Sequence, residues 1–257
     1  MALRYSVAAR NFMAGIGSFK DAFQGGRIEI YTGAQPATPE AAVTGTLLCT
    51  ITAASGAFTG ETPSSGTVTL TGGAGGSLNT LTVNSVDILG AAVNYVTSLT
   101  ATAAAIANQI NLFHSLEEYV ASASGAVVTI TALPGRGTAP NGYVVASTVT
   151  TLTKTDANMA SGAAGVNGLH MSYPGSSTIS KDPNQAWTGV NAASGTAGWY
   201  RWYGITADSG ALDSNVQFIR EDGAIANSGA QCNLVSTAFT SGATSTVANW
   251  DRILPTS

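Results

Sequence analysis

The sequence has little charge for its length. Of its 257 residues, 9% are Asp, Glu, Lys or Arg, against roughly 25% in an average soluble domain. Only three lysines, two histidines and two cysteines occur, and aromatic residues make up 7%. Scarce charge disfavours a helical bundle, whose solvent faces need Glu, Lys and Arg, and it disfavours long disorder. The composition therefore indicates a β-rich protein whose surface is polar through Ser, Thr, Asn and Gln.

No long basic or apolar run occurs either. The formal net charge is −4, and without a Lys/Arg cluster there is no electrostatic footprint for nucleic acid. Apolar runs stay short of the roughly 18 residues that span a membrane. Arg4 and Arg10 interrupt the segment where a signal peptide would need an apolar core. We expect a protein that binds neither nucleic acid nor membrane and folds in a reducing cytosol, with Cys49 and Cys232 as buried thiols; a disulfide between distant strands is the alternative.

Hydrophobic periodicity gives the predicted architecture. Residues 1–23 predict an N-terminal helix, because apolar residues recur at helical spacing until Gly25-Gly26. Residues 24–58 and 166–257 predict short strands without crossover helices, which favours antiparallel pairing. The predicted fold is mainly β: an antiparallel, jelly-roll-like β-sandwich with an N-terminal helix. The predicted apolar stripe of the helix consists of Phe12, Ile16, Phe19 and Phe23.

The middle segment, residues 59–165, has its own complete pattern and predicts a small inserted α+β domain. Strand signals surround one further helix, predicted from Ser98 to His114, with Ser98 or Thr97 as its N-cap. The flanks must pair with each other, because neither alone offers enough strands for a two-layer core. A tandem order of three separate units is the alternative.

An aromatic run, Trp199 to Tyr203, is the most informative local feature. In a strand, Trp199, Arg201 and Tyr203 share one face, and Tyr200 and Trp202 share the other. One face then lies in the core. The other face is predicted either to be buried as well or to form an interface or carbohydrate platform, since Arg and aromatics are enriched at interface cores.

Further interface candidates lie in the predicted N-terminal helix. We expect Trp199, Arg201, Trp202 and Tyr203 to be joined by Phe12 and Ile16 as interface residues, with the helix docking on a partner or covering the open end of the sandwich. Downstream, Asp222-Gly223 predicts a tight turn.

Residues with catalytic or metal-binding chemistry do not form a recognisable pattern. His114 and His170 fall in different predicted domains, and with the two cysteines they give no metal-ligand spacing. Glu117 and Glu118 are adjacent, so in a strand they point to opposite faces, which is poor geometry for an acid/base pair. The glycine loop at 72–76 lacks the Lys-Ser/Thr of a phosphate-binding loop. We therefore expect no enzyme activity, no cofactor and no metal.

The flanking stretches GRIEIYTGAQPATPEAAVTGTLLCTIT (26–52), GTAGWYRWYG (195–204) and FIREDGAIANSGAQCNLVSTAFTSGAT (218–244), with the N-terminal helix, resemble a family of tailed-bacteriophage virion structural proteins. The middle segment is similar to a small domain of phage tail and sheath-type proteins, through GTVTLTGG (66–73) and TATAAAIANQIN (100–111).

This resemblance implies a non-enzymatic virion protein, assembled in the host cytoplasm, that contacts the major capsid protein or tail proteins. The favoured expectation is a capsid decoration or cement protein between capsomers, forming a homo-oligomer, with a trimer as the favoured state. The alternatives are a tail, collar or fibre component, or a carbohydrate-binding adhesion module that uses the aromatic run. Repeated weak contacts suit such a surface, because simultaneous engagement multiplies affinity.

Overall fold

The computed structural model describes residues 2–113, 119–172, 175, 178–230 and 232–253. The elements before the middle segment are β1 (Arg4–Tyr5), α1 (Val7–Gly15), α2 (Phe19–Phe23), β2 (Arg27–Thr32) and β3 (Leu47–Ala53). Those of the middle segment are β4 (Ser65–Gly72), β5 (Ser77–Val83), β6 (Val86–Asp87), β7 (Val93–Asn94), α3 (Leu99–Leu112), β8 (Tyr119–Ser124), β9 (Val127–Ala132), β10 (Val145–Thr150) and β11 (Thr153–Ala160). The last are β12 (Thr178–Ser180), β13 (Trp187–Val190), β14 (Gly195–Tyr203), β15 (Arg220–Ala226), β16 (Cys232–Asn233), β17 (Ala238–Phe239), β18 (Thr244–Thr246) and β19 (Asp251–Ile253).

The chain forms two compact units. Unit 1 consists of residues 1–61 and 165–257, and unit 2 consists of residues 62–164; the sequence-based boundaries were 59 and 165. The strands are antiparallel except for the β15–β16 pair. The prediction of a mainly β, antiparallel, sandwich-like fold is thus confirmed.

Unit 1 is built on a nine-stranded sheet with the order β1-β15-β14-β2-β3-β13-β18, to which β16 and β17 add at β15 and β14. A second sheet pairs β12 with β19. The long strand β14 lies between β15 and β2, and Tyr200 faces Ile30 while Trp202 faces Ile28. These four side chains are fully buried, so the centre of the sheet joins the two ends of the chain in one core.

The N-terminal segment forms two short helices instead of the one predicted. The side chain of Ser18 accepts a hydrogen bond from the backbone N–H of Asp21, and the Asp21 carboxylate accepts one from the Ser18 N–H. This reciprocal capping box starts a new helix and interrupts the old one. The breakpoint after Ile16 also coincides with Gly17, whose helix propensity is low.

One further sequence prediction is wrong, and one strand was not predicted. Asp222 and Gly223 do not form a turn: both lie inside β15, paired with Arg201 and Tyr200 of β14. Gly223 is required there, because a Cβ atom would lie 2.6 Å from the ring of Tyr200. Strand β11 (Thr153–Ala160) was not predicted, because its only buried apolar side chain is Met159 and alternation is therefore weak.

Unit 2 contains two four-stranded sheets and α3 around an aliphatic core. One sheet has the order β11-β4-β9-β8, and the other has β10-β5-β6 with β7 added at β5. Helix α3 begins after its N-cap Ser98, whose hydroxyl accepts a hydrogen bond from the N–H of Ala101. Its buried face carries Ala103, Ile106 and Ile110, at the predicted helical spacing. Among the described residues, no helix is long and apolar enough to cross a membrane.

Candidate functional site

A dense group of charged side chains lies on one face of the unit 1 sheet, largely buried beneath loops. We call it the arginine network, consisting of Arg27, Glu29, Arg201, Asp208, Arg220 and Asp222. Strands alternate their side chains between faces, so β2, β14 and β15 each place residues on this face while their neighbours enter the apolar core. Register explains the meeting: Arg201 pairs with Glu29 on one side and with Asp222 on the other.

Two bidentate ion pairs form the centre of the network. Arg201 donates from Nε and Nη2 to the two oxygens of Asp222, at 2.7 and 2.8 Å. Arg220 donates from Nε and Nη2 to the two oxygens of Asp208, at 2.6 and 2.7 Å. Burial raises the pKa of the Asp222 carboxyl, and the hydrogen bonds from Arg201 oppose that shift. Buried bidentate pairs between an arginine and a carboxylate are rigid and specific in geometry.

The remaining arginine donors hold the covering loops through their carbonyl groups. Arg201 Nη1 donates to the carbonyl of Ala41 at 3.0 Å, and Arg220 Nη1 donates to that of Pro39 at 2.9 Å. Arg220 Nη2 also reaches the carbonyl of Ala211 at 2.9 Å. Buried carbonyls outside regular structure need donors, so the network fastens the β2–β3 loop and the loop after β14 to the sheet.

The opposite face of the sheet carries a second, smaller ionic cluster centred on Glu221. This carboxylate accepts a hydrogen bond from the Tyr200 hydroxyl at 2.6 Å, and Arg252 Nη2 donates to both of its oxygens at 2.7 Å. Burial raises the pKa of Glu221, and Arg252 and Tyr200 partly offset the shift. The guanidinium of Arg252 lies over the rings of Phe19 and Trp250, at 5.2 and 5.5 Å, so β19 is fixed to α2.

The structure overturns the interface role expected for the aromatic run. Loops cover one face of β14 and the two N-terminal helices cover the other, so its four predicted interface residues are completely buried: Trp199, Arg201, Trp202 and Tyr203. Phe12 is also buried at 7% exposure, and Ile16 packs at the edge of the same core. A carbohydrate platform on Trp199 or Trp202 is therefore wrong, since neither ring reaches the surface.

The other residues with potential chemistry are dispersed. His170 is exposed in unit 1, and His114, Glu117 and Glu118 lie outside the described residues. Cys49 and Cys232 are free and buried, as predicted, and burial raises the pKa of each thiol to about 12. Across the described part of the chain, no three His, Cys, Asp or Glu side chains come together as a metal site.

Sequence reasoning missed the arginine network, although all of its members except Asp208 lie in the stretches that carry the resemblance. Those stretches contribute β2, β14 and β15, which are neighbours in the sheet. A usable signal was present: in a chain so poor in charge, Arg201 sits inside an aromatic strand and Arg220 precedes two acidic residues. Charges embedded in apolar strands indicate buried pairs, since isolated buried charges are costly.

Comparison with protein-family models, with curated proteins and with solved structures finds no match.

Proposed function

We propose that this chain is a non-enzymatic structural protein of a tailed bacteriophage, and that it decorates the capsid as a cement protein between capsomers. The resemblance of the flanking stretches motivates the proposal. One structural observation carries it further: unit 1 buries much of its charge and presents a weakly charged surface.

Unit 1 exposes few of its charged side chains. Among the described residues of the unit, only Arg10, Asp21 and Asp251 are both charged and exposed. The other charged side chains are buried or half-buried, several in the ion pairs described above. A neutral surface resists self-association poorly. Such a surface suits a protein that contacts many identical neighbours, where each contact is weak and repetition supplies the affinity.

A neutral segment begins inside β15. No charged residue occurs from Gly223 to Trp250, and most described residues of this segment are exposed Ser, Thr, Asn, Ala and Gly. It contains β18, the last strand in the order of the nine-stranded sheet. An edge strand offers unpaired N–H and C=O groups to a neighbouring chain. We propose that contacts to capsid proteins or to further copies form along this segment.

The buried carboxylates support a structural role rather than catalysis. Asp208, Glu221 and Asp222 are each held by an arginine that contacts both carboxylate oxygens. A general acid or base needs access to the proton that it transfers. These groups have solvent exposures of 8%, 0% and 0%, and their hydrogen-bonding capacity serves the loops and strands around them.

Copy number in purified particles tests the proposal. In particles of the phage that encodes this chain, a cement protein is expected in hundreds of copies per particle. Quantitative mass spectrometry, with the major capsid protein as the reference, measures that number. Tens of copies would favour the alternative, a tail, collar or fibre component, and absence from the particle would overturn a virion role. Sedimentation equilibrium of the purified chain tests the expected trimer, and a monomer at all concentrations would contradict it.

A further inference from the structure

An open groove of about 950 Å³ lies on the same sheet face as the arginine network, and the loop after β14 forms part of its lining. Its floor includes Thr50 of β3, which pairs with Glu29 and therefore shares that face. One wall is the turn after β3, which carries Phe58 and Thr59, and the other wall carries Phe218. The groove belongs entirely to unit 1. Its volume is at the upper end of the range for ligand sites.

Arg27 is fixed at the base of this groove, and its Nη1 group is available as a hydrogen-bond donor. Its Nε donates to Glu29 at 2.7 Å, and its Nη2 donates to the carbonyl of Asp208 at 2.5 Å. The guanidinium lies 4.1 Å from the ring centre of Tyr203 and 4.9 Å from that of Phe58. Nη1 donates to no described residue. Because Arg27 is 8% exposed and held from three sides, this donor is preorganised toward a ligand.

The chemistry of the lining selects a class of ligand. Glu29 pairs with Arg27, and the Asp208 carboxylate pairs with Arg220, so the groove has no excess positive charge for a phosphate or other strong anion. The hydroxyl of Thr50 makes no hydrogen bond to a described residue, so a purely apolar ligand would leave it unsatisfied. Two half-buried phenyl rings, Phe58 and Phe218, offer apolar faces. An uncharged molecule with hydroxyls around an apolar face matches all three features.

We propose that this groove binds a neutral oligosaccharide. Sugar rings pack against Phe58 and Phe218, Arg27 Nη1 donates to a sugar oxygen, and the Thr50 hydroxyl both donates and accepts. The proposal is independent of the virion role: a cement protein without this activity would still be a cement protein. It places carbohydrate binding on a surface different from the buried aromatic run.

The test is binding of the full chain to an immobilised panel of neutral tri- to hexasaccharides of hexoses and N-acetylhexosamines, followed by calorimetry on the best binder. Matched uronate oligosaccharides form the anionic arm. We expect retention of at least one neutral compound. Retention of no neutral compound, or stronger retention of the uronates, would overturn the proposal.

Variants locate the site. Phe58→Ala and Phe218→Ala are each expected to weaken binding roughly tenfold, as loss of one aromatic contact. Thr50→Val, which keeps the shape and removes the hydroxyl, should weaken it roughly fivefold. The matched control is Phe113→Ala, the same substitution at a 36% exposed phenylalanine of unit 2, which should leave affinity unchanged. Equal affinity of Phe218→Ala, Thr50→Val and the parent would refute this groove, and unchanged tryptophan fluorescence verifies folding.

Discussion

Unit 1 holds all four tryptophans and both cysteines of the chain, whereas unit 2 has neither residue type. The core of unit 1 brings together Phe19, Trp187, Trp202 and Trp250, with ring centres 4.8 to 6.1 Å apart where they contact. The core of unit 2 is aliphatic, built from Val, Leu, Ile and Ala of both sheets and α3. The two units therefore stabilise antiparallel sheets with different side chains.

The two units also place their polar pairs differently. Unit 2 places polar pairs at its surface, where Thr71 bonds Thr153 at 3.0 Å and Thr80 bonds Thr148 at 2.7 Å. Unit 1 buries charged pairs because long loops cover its sheet and their carbonyls need donors. In unit 1, buried charge thus accompanies two long loops, 33–46 and 204–219, whose carbonyls accept hydrogen bonds from Arg201 and Arg220.

The largest expected difference concerns the central ion pair of unit 1. Asp222→Ala leaves Arg201 buried without its partner, so the free energy of unfolding should fall by about 3–5 kcal/mol. Urea unfolding followed by tryptophan fluorescence measures it, since the tryptophans report on unit 1 alone. In unit 2, Lys154→Met removes the Lys154–Asp156 pair, whose lysine is 21% exposed, and should cost at most about 1 kcal/mol by circular dichroism.

A double substitution sharpens the same comparison. Arg201→Met combined with Asp222→Leu removes both charges, and its loss should be smaller than that of Asp222→Ala alone. A double variant less stable than the single variant would show that the hydrogen bond from Arg201 to Ala41 outweighs the desolvation of the pair. A loss below about 1 kcal/mol for Asp222→Ala would contradict the network's role altogether.

Alkaline pH should destabilise unit 1. Burial raises the pKa of Cys49 and Cys232 to about 12 and that of Tyr200 well above its ordinary value. The folded state favours the neutral forms, so the contribution of the thiols is fully present below pH of about 8.5 and is lost as pH rises toward 12, whereas that of Tyr200 begins to be lost only above about pH 10. Above its own onset, each group should lower the free energy of unfolding by up to about 1.4 kcal/mol per pH unit.

Urea midpoints at neutral pH and at two alkaline values, read by tryptophan fluorescence, measure this loss. Cys49→Ala with Cys232→Ala serves as the control, because it should flatten the decline where thiols ionise before tyrosines. A midpoint independent of pH up to about 11 would contradict burial of these groups in the folded state.

The smallest effect is expected from removing unit 2. Thr59 and Val166 exchange two backbone hydrogen bonds, at 3.1 and 2.8 Å, so the chain ends left by deleting residues 62–164 already lie together. A short Gly-Ser linker from Glu61 to Gly165 closes a small loop at little entropic cost. The tryptophan-monitored urea midpoint should stay near that of the full chain. An unfolded product would contradict independent cores, and residues 62–164 expressed alone should show cooperative unfolding by circular dichroism.

Local patterns in the sequence were sufficient for several elements. Strand β2 lies within the segment 24–58, which was predicted to form short strands, and its residues Ile28 and Ile30 show the alternation behind that prediction. Helix α3 was predicted from Ser98, its actual N-cap, because capping and 3.6-residue spacing agree. The break between α1 and α2 was missed, since the apolar stripe continues through it and only the Ser18 capping box reveals it. The groove was not foreseen at all, because its residues come from four separated parts of the chain, at 27, 50–60, 190 and 207–218.

Composition and periodicity were enough to establish a mainly β chain with little charge and an independent pattern in its middle. These properties depend on each residue and its near neighbours, which set propensity and burial. The pairing of strands distant in sequence determined which face of β14 lies under the loops and which lies under the N-terminal helices. Both sides proved to be buried, because Arg201 needs Asp222 from a distant strand and carbonyls from a distant loop. Such pairings depend on where strands meet in space, and a single sequence carries no local signal for that.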